Sequence, residues 1–155
     1  SEEYSIDPYL ILALIKVESN FNQKALSKKN AIGLMQIRGS TGEWIAEKIS
    51  MDNFDEKMLY DPEINIKMGC WYLDYLTEYY EGNLQLVLSA YNGGQGNVNK
   101  WLKDGELSDD GCSLKKIPFK ETHHYLRKIK RNYFIYKSIY GKAYIKLMKG
   151  MNMVG

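Results

Sequence analysis

Two cysteines, two histidines and three prolines in 155 residues, with no apolar run of the roughly 18 residues that a membrane span needs, exclude several kinds of protein at once. Cys70 and Cys112 have no C-x-x-C spacing and no surrounding histidines, which rules out a structural zinc site. Whether they are free or joined is open, because a disulfide depends on how close their backbones come. His123 and His124 are adjacent, cannot share one helix face and form no ligand spacing with another residue, so neither metal nor cofactor is expected. Neither sign of charge dominates. With 21 basic against 19 acidic side chains the chain lacks the strong positive balance of a dedicated nucleic-acid binder, and no nucleic-acid partner is expected. No secretory signal pattern is found, although export remains compatible with the sequence.

What is present suits one ordinary domain: 45% hydrophobic and 26% charged residues over a length able to bury a real core. We expect a single unit over residues 1–155, with its core at about 7–140 and a basic extension at 141–155. Asp7 before Pro8 reads as a helix cap followed by a first-turn proline, and Leu10, Ile11, Leu14, Ile15 and Val17 continue at helical spacing. Residues Phe21 to Gly42 read as loop, with at most a helical turn near Leu34 to Ile37, followed by a helix around Trp44 to Ile49. Asp61 and Pro62 repeat the cap-and-proline start ahead of a long amphipathic helix to Tyr79, closed by Gly82 and Asn83. Leu84 to Tyr91 and Asn97 to Leu102 are two further helices, separated by Asn92, Gly93 and Gly94. A polar connection from Lys103 to Pro118 leads to a last helix from Glu121, and no alternating strand is found. The class is therefore all-α. From Lys115 onward the chain is rich in lysine and arginine, which is either a solvated face or a surface for anionic wall polymer or lipid headgroups.

Glu18 is unusually placed for a carboxylate. It follows Ile11, Leu14 and Ile15 by seven, four and three residues, on the apolar face of the first helix and close to its C-terminal end. Desolvation and the negative end of the helix dipole both favour its neutral form there, as a proton donor near neutral pH requires. The bland alternative is a glutamate that caps local backbone groups. Gly33-Leu34-Met35-Gln36 combines a glycine that permits close backbone approach with an amide that both donates and accepts. Ala90-Tyr91-Asn92-Gly93-Gly94 presents a phenol and an amide at a helix end, a natural rim for a sugar site or simply a helix cap.

Taken together, in order and spacing, Glu18-Ser19-Asn20-Phe21-Asn22, Ser27, Ala31-Ile32-Gly33-Leu34-Met35-Gln36, Ala90-Tyr91-Asn92-Gly93-Gly94 and Ile117-Pro118-Phe119-Lys120-Glu121-Thr122 with Tyr125 resemble the catalytic domain of soluble lytic transglycosylases. The resemblance runs from about Asp7 to Tyr140. It implies a lysozyme-like helical domain with a substrate cleft, cutting the β-1,4 bond between N-acetylmuramic acid and N-acetylglucosamine in peptidoglycan glycan strands. It further implies a monomer working outside the cell or at the wall, with any membrane anchor lying beyond these residues.

Position by position, the resemblance makes Glu18 the single catalytic acid and base, helped by the substrate's own N-acetyl group rather than by a second carboxylate. Ser27 would contact that N-acetyl group. Gln36 and the Gly33 backbone would line the same subsites, Tyr91 would orient the catalytic carboxyl, and Asn92 would support that wall of the cleft. Glu121 would stand near the bound glycan or its peptide, with Tyr125 beside it. Two positions depart from the family pattern. Arg38 stands where a thioether is common, able to meet the carboxylate of a stem peptide or lactyl group, and His123 stands where an arginine is common.

Three other readings compete. A goose-type lysozyme-like muramidase would hydrolyse the same bond with water, held by Glu43, Asp52 or Glu121 about 6.5–9.5 Å from Glu18. A glycan-binding module would keep the fold without turnover. A cysteine peptidase, prompted by Gly69-Cys70-Trp71, fails because Cys70 falls inside a long amphipathic helix, where a buried thiol is inert.

Overall fold

The computed structural model describes the backbone of residues 6–151 and the side chains of residues 6–141. Six helices dominate. Helix α1 (Pro8–Ser19) starts where Asp7 accepts the Tyr9 amide at 2.9 Å, with Pro8 in its first turn. It stops sharply because Asn20 and Phe21 both take the left-handed conformation, at φ 53° and 63°, leaving Glu18 in the last turn.

The next segment differs from the loop and helical turn read from the sequence. Strands β1 (Ala31–Ile32) and β2 (Ile37–Arg38) pair antiparallel, Ala31 with Arg38 and Ile32 with Ile37. Two-residue strands are too short to show alternation, and the turn between them depends on Gly33 and Gln36 at φ 78° and 52°. Helix α2 (Gly39–Lys48) begins well before Trp44, across a Gly-Ser-Thr-Gly stretch of low helix propensity. Tertiary contact overrides that propensity: side chains at Gly39 and Gly42 would overlap the Glu56 carboxylate and the Phe54 ring. A 3₁₀ turn at Glu56–Tyr60, capped by Asp55, was also not legible from the pattern.

Helix α3 (Pro62–Tyr79) opens with Asp61 accepting the Glu63 and Ile64 amides, as its sequence predicts. Helices α4 (Leu84–Gly93) and α5 (Gln95–Leu102) run slightly longer than their periodicity suggests, and Gly94 at φ 88° makes the break between them. Helix α6 (Lys120–Met151) extends for 32 residues, so its backbone passes residue 141 without interruption. The side chains expected to form a basic extension beyond that point lie outside the described residues, as do residues 152–155.

Helix α1 packs chiefly on α6, while α4 lies between α3, α5 and α6 and buries Leu86 to Ala90. The core gathers Leu14, Met35, Ile45, Leu59, Met68, Leu73, Leu76, Val87, Val98 and Ile129. Among the described residues, no helix is long and apolar enough to cross a membrane.

Candidate active site

Glu18 reaches α6 through one hydrogen bond, donated by the Tyr125 hydroxyl to its Oε1 at 2.7 Å. Burial pushes the pKa of the carboxyl up to about 7, only partly offset by that phenol. At neutral pH Glu18 is therefore divided between acid and base. Tyr125 is 6% exposed. Burial, and then the Glu18 charge, hold the phenols of Tyr125 and Tyr91 well above the usual range, so both remain neutral donors.

Sequence resemblance gave the role of carboxyl-orienting phenol to Tyr91, with Tyr125 beside Glu121. The geometry differs. Tyr91 feels the Glu18 charge but donates its proton to the Met35 carbonyl at 2.9 Å, and Tyr125 is the phenol on the carboxyl. The periodicity of the last helix put Tyr125 among its apolar positions but could not show that this helix lies against α1.

The β1–β2 hairpin is tied to α4 where the Tyr91 hydroxyl meets the Met35 carbonyl. Ser27 Oγ accepts the amides of Lys29 at 3.2 Å and Ala31 at 2.9 Å, which fixes the loop before β1 and leaves the hydroxyl proton for an external acceptor. Gln36 spends its side-chain amide on the carbonyls of Gly33 at 2.9 Å and Ala25 at 3.3 Å, so only its oxygen is left to face a ligand. Gly33 is buried, donates to the Ala25 carbonyl at 2.9 Å, and packs closely against the Asn65 amide and Leu59 carbonyl. Arg38 is exposed at the end of β2, where it starts α2 without a side-chain cap.

Asn65 was missed in the sequence, although an asparagine on the apolar stripe of a long helix is an available clue. It is 0% exposed, accepts the Met35 amide at 2.7 Å, and donates to the carbonyls of Ile32 at 3.0 Å and Leu59 at 2.8 Å. Asn65 and Tyr91 thus hold the two backbone groups of Met35, whose sulfur fits against α3 only because position 69 is glycine.

Farther along the site, Asn92 accepts the hydroxyl of buried Thr122 at 2.9 Å, joining the end of α4 to the start of α6. Glu121 is exposed and meets Lys29 at 3.7 Å, bridging from α6 to the loop that carries Ser27. Glu43 and Asp52 line a separate hollow at the C-terminal end of α2, to which Glu18 does not contribute. Cys70 and Cys112 are unpaired, and burial raises the Cys70 thiol to about 11, which makes it a poor nucleophile. Among the described residues, no group of three or more His, Cys, Asp or Glu side chains could hold a metal ion.

A buried carboxyl poised between its two protonation states can deliver a proton and take one back. The transglycosylase SLT domain family matches residues 1–110 of this chain. The chain belongs to that family. A putative soluble lytic murein transglycosylase of Haemophilus influenzae is 34% identical over 143 residues, covering 91% of this chain and 24% of that protein. The soluble lytic murein transglycosylase of Escherichia coli K12 is 33% identical over 120 residues, or 76% of this chain and 19% of that protein. The crystal structure of the 70 kDa soluble lytic transglycosylase of Escherichia coli superposes with a TM-score of 0.79 at 28% identity, covering 91% of this chain and 23% of that one. A complex of a 70 kDa soluble lytic transglycosylase with bulgecin A gives a TM-score of 0.75 at 28% identity over 88% of this chain and 23% of that one. The fold is thus the lysozyme-like helical fold of this family, and the chain spans about a quarter or less of these relatives' length.

Proposed function

We propose that this chain is a peptidoglycan lytic transglycosylase domain in which Glu18 is both catalytic acid and catalytic base. The observation that carries the reading is the Glu18 carboxyl, raised to about 7 by burial while one phenol holds its orientation. Below that pH the acid form donates its proton to the glycosidic oxygen between N-acetylmuramic acid and N-acetylglucosamine as the bond breaks. The resulting carboxylate then takes the proton of the muramic acid C6 hydroxyl, whose oxygen closes on the anomeric carbon to leave a 1,6-anhydro end. One proton leaves Glu18 and one returns, and no water is consumed.

Among the described residues no second carboxylate contributes to the shift of Glu18, and Glu43, Asp52 and Glu121 are engaged elsewhere or exposed. That arrangement favours help from the substrate's N-acetyl group over a two-carboxylate hydrolysis. Ser27, with two amides donating to its oxygen, supplies the hydroxyl for that group. Gln36, Arg38, Tyr91 and Asn92 complete the glycan wall, with Glu121 and Tyr125 on the α6 side. Residues 7–140 then form the working core of a monomeric unit acting where peptidoglycan lies, outside the cytoplasmic membrane, with the basic stretch after Lys115 available to anionic wall polymer or lipid.

Mass spectrometry of products from purified peptidoglycan tests the proposal, comparing the wild-type chain with Glu18→Gln. The expected result is muropeptides ending in 1,6-anhydromuramic acid, reduced by about a thousandfold in the variant. Reducing ends one water heavier would replace the proposal with a muramidase. Binding without release would replace it with a glycan-binding module.

A further inference from the structure

Beyond Tyr91 three tyrosines of α3 form a continuous line. Tyr91 lies 5.5 Å from Tyr72 between ring centroids, Tyr72 lies 6.4 Å from Tyr75, and Tyr75 lies 6.2 Å from Tyr79. Tyr72 and Tyr75 are half-buried, with Tyr75 stacked on Trp71 at 5.7 Å and Trp44 edge-on to both tyrosines, and Tyr79 at the end of the line is 50% exposed. The line leads away from the Glu18 wall for about 10 Å along the helix, counted from Tyr72 to Tyr79.

Helix α5 lays a matching row of amides beside it. Gln95 and Asn99 stand four residues apart and donate to Tyr75 and Tyr79, themselves four apart, at 3.5 Å and 2.9 Å. Because Tyr79 accepts from Asn99, its own hydroxyl proton is left to donate elsewhere. The line ends in a hollow of about 410 Å³, lined by Tyr79, Asn99 and Lys103 among others, a volume within the range of ligand sites. Lys103 and Glu81 put one charge of each sign at its rim, which suits an uncharged acetamido sugar rather than a polyanion. Aromatic faces interleaved with amides and hydroxyls meet both the apolar and the polar faces of a pyranose.

We propose that the groove between α3 and α5 is an accessory glycan-binding strip, taking an N-acetylated amino-sugar chain that continues from the cleft at Tyr91 to the hollow beside Asn99. The proposal rests on the reading of the Glu18 cleft as a glycan site, but binding in the strip is measured without catalysis. N-acetylchitopentaose is titrated into the Glu18→Gln chain while the backbone and side-chain amide resonances are followed. The side-chain amides of Gln95 and Asn99 are expected to shift in step with residues around Gly33 and Tyr91. Tyr79→Ala, a change at an exposed site, is expected to weaken binding about fivefold and abolish the Asn99 response without lowering the thermal midpoint. Asn99→Ala provides the second variant and should also weaken binding, here with a lower thermal midpoint because Asn99 accepts the hydroxyl of buried Tyr80 at 2.9 Å.

Unmoved Gln95 and Asn99 amides, or parental affinity in both variants, would overturn the strip, as would failure of the pentaose to bind anywhere. The two readings fail separately. Shifts at Asn99 in a chain whose wild type releases no anhydro product would keep the strip and remove the catalytic proposal. Anhydro product from a chain whose Asn99 stays silent would do the reverse.

Discussion

Glu18 and Asn65 are both polar side chains set among apolar neighbours, and the fold treats them in opposite ways. Asn65 has both amide hydrogens and its oxygen engaged by backbone groups of three different residues. Glu18 has one phenol and little else. A saturated buried amide makes no demand on a ligand and fixes shape, here by tying the hairpin, the 3₁₀ turn and α3 together. An undersatisfied buried carboxyl cannot settle fully into either charge state, and it is the group left free to do chemistry. The two positions thus differ in kind: Asn65 is satisfied scaffold, and Glu18 is a buried carboxyl with a phenol as its partner.

Three experiments break or sharpen that division. The largest effect on stability is expected from Asn65→Ala, which leaves the Met35 amide and the Ile32 and Leu59 carbonyls buried without partners. A loss of about 4 kcal/mol is expected from the denaturant midpoint, with an unchanged slope. A loss below about 1 kcal/mol would show that water or rearrangement replaces the asparagine, and the scaffold description would fail.

The next effect lies in pH. The folded chain holds the Glu18 proton to about 7 against an ordinary value of 4.5. The unfolded chain therefore releases that proton first, and Glu18 destabilises the fold progressively as pH rises from 4.5 to about 7, with no further change above. The accumulated penalty is up to about 3 kcal/mol. Glu18→Gln carries no titrating group there, so its midpoint should gain on the wild type across that window and run parallel to it above. Parallel curves throughout would mean that the carboxyl is hydrated and not poised.

The smallest effects separate the two phenols. Tyr125→Phe removes the hydrogen bond that lowers Glu18, so the carboxyl titrates higher and the alkaline edge of the activity profile moves to higher pH. Tyr91→Phe releases the Met35 carbonyl instead and costs about 1 kcal/mol of stability while leaving that edge in place. A shift in the Tyr91 variant equal to that in the Tyr125 variant would remove the distinction between them.

Much of this was legible in the chain. The caps at Asp7 and Asp61, the prolines behind them and the apolar spacing of Leu10 to Val17 predicted α1 and the start of α3 because caps and periodicity are local. Glu18 was legible for the same reason, as a charge on an apolar stripe. The hairpin was not, since its strands are two residues long, and neither was the early start of α2, where glycines that weaken a helix are required by Phe54 and Glu56 packed against them. That Tyr125 donates to Glu18 while Tyr91 donates to Met35 has the same origin, because spacing along one helix carries no information about the direction of a hydroxyl relative to another.

By itself, then, the sequence determined the helices, the all-α class and the one carboxylate that stands out of place. The tertiary structure alone decided which phenol meets Glu18, what buried Asn65 holds, and that the tyrosines of α3 align with the amides of α5. Local caps and periodicities are properties of neighbours in the chain. Hydrogen-bond partners 30 to 107 residues apart, such as Asn65 with Met35 or Tyr125 with Glu18, exist only once packing has chosen which helix faces lie together.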